Sequence, residues 1–334
     1  MALPVLVALV FSVLVSLGVS HPIGVDWHFH RAIAEQYAAF DFGGAWNIFY
    51  GENHSFYPPL FHWLLVPSVW LGCVDGFGLL LQCLLYPLCV ACFVWLVNRY
   101  VGFGASFWGA LVLLGSVAFR DRLLQPQPQG LDFILWLSAA GLFLAGHKMR
   151  EGWLCVSVLG VFNHGLVSLS FLVSMVWGQM KRKDCWIVHA FAVATFVVIV
   201  ISLYTLAGGL GNYGPRIDTD QELYFYRDPV GFWVSYVGLP TLGFFVGGYS
   251  LVKRRLDALG KLCVLTVAAT SVMVLVWPDR WAQYSVMPLT ILLMQFFSRQ
   301  SFWPKVFFAT AIFGFFVVRI MINYFLLTHG GFQT

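Results

Sequence analysis

The chain has 334 residues, of which 60% are hydrophobic and only 10% are charged, and its mean hydropathy is +0.79. This composition lies far outside that of soluble domains. The formal net charge is +4 and the seven cysteines lie mostly within apolar runs, so neither a secreted disulfide framework nor a zinc knuckle is indicated. We therefore expect an integral, multi-pass membrane protein with no nucleic-acid partner.

Apolar runs close to the length of about 20 residues that a bilayer core requires follow one another along the chain. Residues 1–20 lack the basic start and the cleavage site of a signal peptide, so we interpret them as a first transmembrane helix that is retained. No repeat, low-complexity tract or long linker interrupts the series, which favours one all-α transmembrane domain over residues 1–334. The eleven predicted segments are 1–20, 58–74, 78–97, 105–119, 131–147, 153–177, 186–207, 229–251, 260–277, 283–298 and 304–327.

The lysines predict the orientation of these segments, because they are confined to four short loops, near residues 148, 181–183, 253–261 and 305. Positively charged residues in short loops are retained in the cytoplasm, so these loops are predicted to be cytoplasmic. The polar loops that hold nearly all the candidate chemistry then face the opposite, outer side. These outer loops are 21–57, 120–130, 208–228 and 278–283.

Two segments conflict with a simple count of crossings. Four full spans between residues 57 and 148 would place the basic loop at 148 outside, so one of the four is expected to be a half-span or re-entrant. The segment 58–74, which contains Pro67, is one candidate, and the sequence does not decide between them. The run 153–177 begins and ends beside cytoplasmic loops, and its interruption at 163–165 predicts two shorter helices that meet at the outer side.

The first outer loop, 21–57, carries an acidic residue and two histidines soon after the first helix. Asp26 and His30 are spaced to lie on one helical face. Asp26 could act as a general base, or Asp26, His28 and His30 could bind a divalent metal. The alternative is a polar cluster that caps the next helix. Residues 31–41 are predicted to form a short amphipathic helix along the membrane surface.

The order of these features resembles that of the GT-C glycosyltransferases, multi-pass enzymes that take sugar from a lipid phosphate at the outer or lumenal face. The resemblance is most specific in VDWHFH at 25–30 and YPPLFH at 57–62, a combination similar to that of prokaryotic and archaeal members. Weaker matches follow in the expected order at 119–136, 160–169 and 278–289. At the level of layout, the resemblance covers most of the chain.

The resemblance implies an all-α transmembrane bundle and transfer of a sugar from a polyprenyl- or dolichyl-phosphate carrier to an acceptor. Asp26 is then the implied general base, and arginines that bind the carrier phosphate are implied at the outer membrane boundary. Without the resemblance, the same arginines would be interpreted as interfacial cations. The implied substrate-binding residues are His30, Tyr57, His62, Arg120, Arg122, His164, Arg280 and Tyr284.

The sequence departs from the family pattern after Asp26, because Trp27 stands where many members have a second acidic residue. This departure leaves the dependence on Mg²⁺ or Mn²⁺ open, with Asp121 and Asp132 as alternative second acids. Asp121 could equally pair with a neighbouring arginine, and His164 could simply be a polar residue at a helix break. The implied location is the plasma membrane of a prokaryote or the endoplasmic reticulum of a eukaryote.

Two other function classes are consistent with parts of the sequence. Ionisable residues and broken helices within a membrane domain also mark the substrate pathways of transporters and lipid flippases. A GT-C-like fold without chemistry could serve as an assembly subunit. Neither class predicts a loss of function when Asp26 alone is changed.

Overall fold

In a computed structural model of the chain, the residues described are 2–17, 19–22, 26–48, 59–146, 150–163, 228–271 and 278–329. These residues form helices and short connections, with no β-strand among them, as the all-α prediction requires. The helices of the first half are α1 (Ala2–Ser16), α2 (Asp26–Ala38), α3 (Phe42–Ile48), α4 (Leu60–Trp70), α5 (Val74–Tyr100), α6 (Phe103–Leu114), α7 (Val117–Leu124), α8 (Pro128–Leu144) and α9 (Arg150–Asn163).

The second half begins with an irregular segment and continues with four helices. A single helical turn at Pro229–Phe232 runs into a π-helical turn at Trp233–Val237, here called the π turn, and then into a 3₁₀ turn at Leu239–Thr241. The helices that follow are α10 (Leu242–Val252), α11 (Ala258–Thr270), α12 (Pro278–Ser298) and α13 (Phe302–His329).

Among the described residues, two helices are long and apolar enough to cross a membrane by themselves, Val74–Tyr100 and Phe302–Arg319. Helix α5 has 27 residues, which at about 1.5 Å per residue exceeds a hydrocarbon core of about 30 Å. Helix α1 packs against α5, where Gln82 Nε2 donates to Ser16 Oγ over 2.8 Å. The shorter apolar helices α1, α4, α6, α8 and α11 complete this series together with the segment Leu239–Val252.

Helix α4 lies along α2 and is too short to cross a bilayer. Its 11 residues give a length of about 16 Å, roughly half of the hydrocarbon thickness. Near its start, His62 contacts His30 of α2, and at its end, Trp70 Nε1 donates to the Ala38 carbonyl over 3.0 Å. The helix in the predicted segment 58–74 is therefore shorter than a full span and packs along α2, and its assignment as the half-span stays a prediction.

Helix α12 forms the centre of the bundle, and every side chain from Trp281 to Gln295 is buried. Helices α6, α10 and α11 pack around it. Helix α10 approaches closely because Gly243 lies against the Leu289 backbone and Gly247 against Leu292. Glycines four residues apart remove side chains from one helix face, which allows two backbones to pack closely within a membrane.

The bundle has two chemically different ends. At the basic end, the start of α13 and the connections from α10 to α11 and from α12 to α13 come together, and Arg299 Nη1 donates to the Arg255 carbonyl over 2.6 Å. At the opposite end, here called the α2 end, lie α2, α4, α7, the start of α8 and the π turn. Most of the polar loops that were predicted to face outward begin or end there.

Several boundaries differ from the predicted ones. The amphipathic helix expected over 31–41 is α2, and it begins at Asp26, so its acidic residue belongs to the first turn. The predicted segment 105–119 is divided into α6 and α7 at Gly115 and Ser116. The predicted interruption at 163–165 falls where the described residues end, so it stays a prediction, and the segment 186–207 lies outside the described residues.

Candidate active site

Asp26 is held at the α2 end by a glutamine that is distant in the sequence. Gln127 Nε2 donates to Asp26 Oδ2 over 3.1 Å and to Gln125 Oε1 over 2.6 Å. Gln127 is buried and immediately precedes α8, with Pro126 on one side and Pro128 on the other. Proline restricts its own backbone and that of the residue before it, so this segment presents Gln127 in a fixed position.

Among the described residues, Gln127 is the one hydrogen-bond donor to Asp26, and its bond is to Oδ2. Asp26 is partly exposed and occupies the first turn of α2, where a carboxylate interacts favourably with the helix N-terminus. Oδ1 therefore keeps its capacity to accept a proton while Oδ2 is fixed, which is an arrangement suited to a general base.

A second cluster attaches α2 to the start of α5. Asp75 accepts a hydrogen bond from Trp27 Nε1 over 2.8 Å and forms an ion pair with Arg31 Nη1 at 2.7 Å. Arg31 Nε also donates to Glu35 over 2.8 Å, and this bond, together with the Asp75 charge, raises the pKa of Arg31 above its ordinary value. Trp27, which stands where many GT-C members have a second acid, is thus a buried anchor beside Asp26.

His30 and His62 form a buried pair between α2 and α4. His30 Nδ1 lies 3.0 Å from His62 Nε2, so one ring donates a hydrogen bond to the other. Both side chains have no exposed surface, and the Phe61 ring packs edge-on against His30 at 5.4 Å. The two histidines that were predicted to bind substrate therefore lie together, one turn from Asp26, at the contact between the two helices.

The residues predicted to bind a divalent metal are not gathered into one cluster. His28 is exposed on α2 and its ring faces His21 at 5.5 Å, whereas His30 is bonded to His62. Within the described part of the chain, no group of three histidine, cysteine, aspartate or glutamate side chains could hold a metal ion. These residues do not fit a metal centre as they stand, and the metal dependence stays a prediction.

Helix α7, which carries Arg120, packs against the π turn and α12. Arg120 is partly exposed, and its neighbour Phe119 is buried against Phe133 at 5.9 Å. The predicted substrate-binding residue Tyr284 is also buried, with its ring 5.8 Å from that of Phe133. Tyr284 thus contributes to the core beneath the α2 end.

The π turn connects this region to α12 through two contacts. Gln283 Nε2 donates to Tyr236 Oη over 2.6 Å, and the Trp233 and Trp281 rings pack edge-to-face at 4.9 Å. Helix α7 packs against the same turn. Irregular backbone of this kind is common at functional sites in helical proteins.

Asp132, one of the alternative second acids, is fully buried in α8. Asn163 Nδ2 donates to Asp132 Oδ1 over 2.9 Å and to the Pro128 carbonyl over 2.6 Å. This pairing attaches the end of α9 to the first turns of α8, the helix whose start positions Gln127. Asp132 therefore helps to fix the start of α8, and through it the position of Gln127.

Several predicted site residues lie outside what the structure describes. Tyr57, His164 and residues 208–227 are among them. Arg122 lies on α7 and Arg280 in the first turn of α12 by their backbone positions, but their side chains are outside the described set, as is that of Asp121. Their roles stay predictions.

The described helices, with Asp26 and Gln127 at the α2 end, form a helical fold that solved structures share. The structural likeness is to ArnT from Cupriavidus metallidurans, solved both bound to undecaprenyl phosphate and in the apo state. The TM-score is 0.57 for both structures, with sequence identities of 20% and 21%. Each match covers 90% of this chain, which spans 60% of the length of ArnT.

Comparisons of sequence alone give no such match. No protein-family model matches the chain, and a search of curated proteins finds no match either. The all-α fold that the resemblance implied is confirmed, and the likeness to ArnT is one of fold.

Proposed function

We propose that the protein is a membrane glycosyltransferase that transfers a sugar from a polyprenyl- or dolichyl-phosphate carrier to an acceptor at the outer face, with Asp26 as general base. The observation that carries this proposal is Asp26 itself, fixed by Gln127 at the α2 end of a fold shared with ArnT, which has been crystallised with undecaprenyl phosphate. A lipid carrier would reach this end from the surrounding membrane, which suits a chain built of apolar helices.

The proposed reaction needs one proton transfer and one stabilised leaving group. Asp26 takes the proton from the acceptor hydroxyl as its oxygen bonds to the anomeric carbon of the sugar. The bond between that carbon and the phosphate oxygen breaks, and its electron pair leaves with the lipid phosphate. Arg120, Arg122 and Arg280 are the proposed cations for this phosphate, because a guanidinium binds two oxygens at once and stays charged.

The decisive experiment is transfer of labelled sugar from a panel of polyprenyl- and dolichyl-phosphate sugars by purified protein in lipid nanodiscs. Wild type is compared with Asp26→Asn and with Asp257→Asn, a matched change at the basic end. We expect Asp26→Asn to lower turnover at least about 100-fold, the usual contribution of a general base. Asp257→Asn should retain turnover, although it removes the cap of α11.

Two further results separate this proposal from its alternatives. Turnover that is indifferent to Asp26→Asn in a folded protein would move the assignment to a subunit without chemistry. Carrier or solute flux across the membrane of sealed vesicles that contain the protein, without sugar transfer, would indicate a transporter. A chelator in the same assay decides the metal question, and loss of transfer restored by Mg²⁺ or Mn²⁺ would require ligands beyond the described cluster.

A further inference from the structure

The basic end of the bundle carries positive charges that the proposed reaction does not use. Three of them lie in the connection from α10 to α11, one in the connection from α12 to α13, and one each in the first turns of α11 and α13. Among the described side chains of this end, Asp257 is the one carboxylate. The six cations, here called the basic patch, are Lys253, Arg254, Arg255, Lys261, Arg299 and Lys305.

Five of the six cations have no hydrogen bond or ion pair from their side chains to another described residue. The exception is Arg299, whose Nη1 donates to the Arg255 carbonyl over 2.6 Å and whose Nη2 lies 3.6 Å from Asp257 Oδ2. Asp257 is also engaged in capping α11. One carboxylate among these cations leaves an excess of positive charge, which attracts anions.

The basic patch is held on ordered backbone. Arg254 has a φ of 52°, in the left-handed region that ends many helices, and this conformation turns the chain sharply after α10. The Arg254 N–H donates to the Leu251 carbonyl over 3.0 Å, and the Arg255 N–H donates to the Ser250 carbonyl over 2.8 Å. Because Arg299 also donates to the Arg255 carbonyl, the two connections, which carry four of the cations, are fixed side by side.

Apolar side chains border the basic patch on two helices. Leu251 and Val252 end α10 immediately before the patch, and Phe302 and Trp303 begin α13. All four side chains are exposed, by 54% to 79%. The apolar span of α13 starts at Phe302, and aromatic residues at the end of a span lie at the level of lipid head groups. The basic patch therefore lies at the depth of the phosphate groups of the bilayer.

We propose that the basic patch binds the head group of an anionic phospholipid in the cytoplasmic leaflet, and that this lipid links the start of α13 to the connection between α10 and α11. A phospholipid fits both parts of this surface, because its phosphate meets the cations while its acyl chains lie against the exposed apolar side chains. The arginines can bind two phosphate oxygens at once, and the lysines act as point charges. The site lies at the opposite end of the bundle from Asp26, so it does not depend on the proposed sugar transfer.

The two ends of helix α13 are attached differently. Toward the α2 end, Arg319 Nη2 donates to the Ser235 carbonyl of the π turn. At the basic end, the Phe308 ring lies 6.2 Å from the Phe297 ring of α12, but no side chain in the first two turns of α13 makes a hydrogen bond to another described helix. Only 6% of the apolar window of α13 is buried. A phosphate held between Lys305 and the α10–α11 connection supplies the polar link that this end lacks.

The first test measures lipid binding by native mass spectrometry of the purified protein with phosphatidylglycerol or phosphatidylcholine. We expect wild type to prefer phosphatidylglycerol. Lys305→Gln should lower this affinity about fivefold, the contribution of one cation at an anionic lipid surface. The triple variant Lys253→Gln, Arg254→Gln, Arg255→Gln should lower it about 100-fold. Equal affinity of wild type for the two lipids would overturn the proposal.

Arg99→Gln is the matched control. Helix α5 begins at the α2 end, where Asp75 pairs with Arg31, so its last turn, which carries the exposed Arg99, lies at the opposite end but outside the basic patch. We expect Arg99→Gln to match wild type and Lys305→Arg to retain binding. A diffuse positive field would weaken equally in Arg99→Gln and Lys305→Gln, and this result would overturn a defined site. Inorganic phosphate that competes as well as phosphatidylglycerol would contradict the assignment to a lipid.

Hydrogen exchange in nanodiscs tests the link to α13. In wild type, phosphatidylglycerol should slow exchange of the backbone amides in the first turns of α13 relative to phosphatidylcholine, and in Lys305→Gln it should not. Equal exchange of wild type in the two lipids would overturn the role of the lipid in attaching α13.

Neither measurement requires sugar transfer, so a negative result leaves the proposed function as it stands. Equally, transfer that is indifferent to Asp26→Asn leaves the lipid site unaffected. Should the triple variant fail to fold, the comparison of Lys305→Gln with Lys305→Arg and Arg99→Gln decides the question.

Discussion

Two glutamine–aspartate pairs lie at opposite ends of the bundle and serve different purposes. At the basic end, Gln295 Nε2 donates to Asp257 Oδ1 over 2.7 Å, and the Gly260 backbone N–H donates to the same oxygen over 2.8 Å. Asp257 Oδ2 lies 3.6 Å from Arg299 Nη2. Both oxygens of Asp257 are therefore engaged in capping α11 and in joining it to α12.

The pair at the α2 end uses the same two side chains and leaves one oxygen available. Among the described residues, Asp26 accepts one hydrogen bond, from Gln127 to Oδ2. A carboxylate whose two oxygens both face donors or cations stabilises structure, whereas one that is oriented through a single oxygen and still able to accept a proton is suited to catalysis. The difference between the two ends thus lies in the number of donors around the acid, and not in the acid itself.

The strongest test of the difference between the two pairs is to replace the two glutamines one at a time. Gln127→Leu leaves Asp26 without its orienting donor, and we expect sugar transfer to fall by about 10- to 100-fold, because small errors in position are costly in catalysis. Gln295→Leu should lower the thermal stability and leave the transfer rate per folded molecule unchanged. Equal losses of transfer in the two variants would contradict the distinction between the ends.

The two glutamines also show what sequence patterns could and could not predict. The long apolar runs predicted α5, α12 and α13, because burial in a membrane depends on composition and length. Gln127 and Asp26 are 101 positions apart, and no local pattern reports such a contact. The one local signal was the pair of prolines around Gln127. They indicate a rigid segment, but they do not indicate which residue Gln127 contacts.

Contacts between residues distant in the sequence also explain the other residues that sequence patterns did not single out. Asp75 lies between two predicted spans and reads as a boundary residue, yet it anchors α2 through Trp27 and Arg31. Arg319 lies within an apolar run, where a single cation is ordinarily an interfacial residue. In each case the sequence shows the residue type, but only the fold shows which residues it contacts.

The histidine pair offers a second, smaller test of how the α2 end is held. His62→Leu removes one partner of a buried hydrogen bond and leaves the facing nitrogen of His30 without it, which should cost about 1–3 kcal/mol. We expect a lower midpoint of thermal unfolding for the protein in nanodiscs, together with a reduced kcat, because α2 carries Asp26. His28→Leu is the control, since His28 is exposed, and a similar loss of stability there would contradict the importance of the buried pair.

The smallest expected effect concerns Tyr37 of α2, whose ring lies 5.8 Å from that of Phe42 on α3 and 6.3 Å from that of His62 on α4. Burial raises the pKa of Tyr37 above its ordinary value, so its neutral form is favoured in the folded protein. Below the unfolded pKa of about 10, both states hold the proton and this contribution to stability is fully present. As the pH rises above that value, the unfolded chain releases the proton first, and stability falls until the folded pKa has been passed.

Tyr37→Phe should therefore flatten the loss of stability on the alkaline side of this transition, as measured by thermal unfolding across the pH range. Tyr249→Phe, at an exposed tyrosine on α10, serves as the control near the basic end and should keep the wild-type slope. The comparison is informative because α2 and α4 are accessory helices that pack on each other outside the central core. An unchanged alkaline slope in Tyr37→Phe would mean that the surroundings of Tyr37 are lost before the bundle unfolds, and it would contradict the expected contribution of Tyr37 to stability.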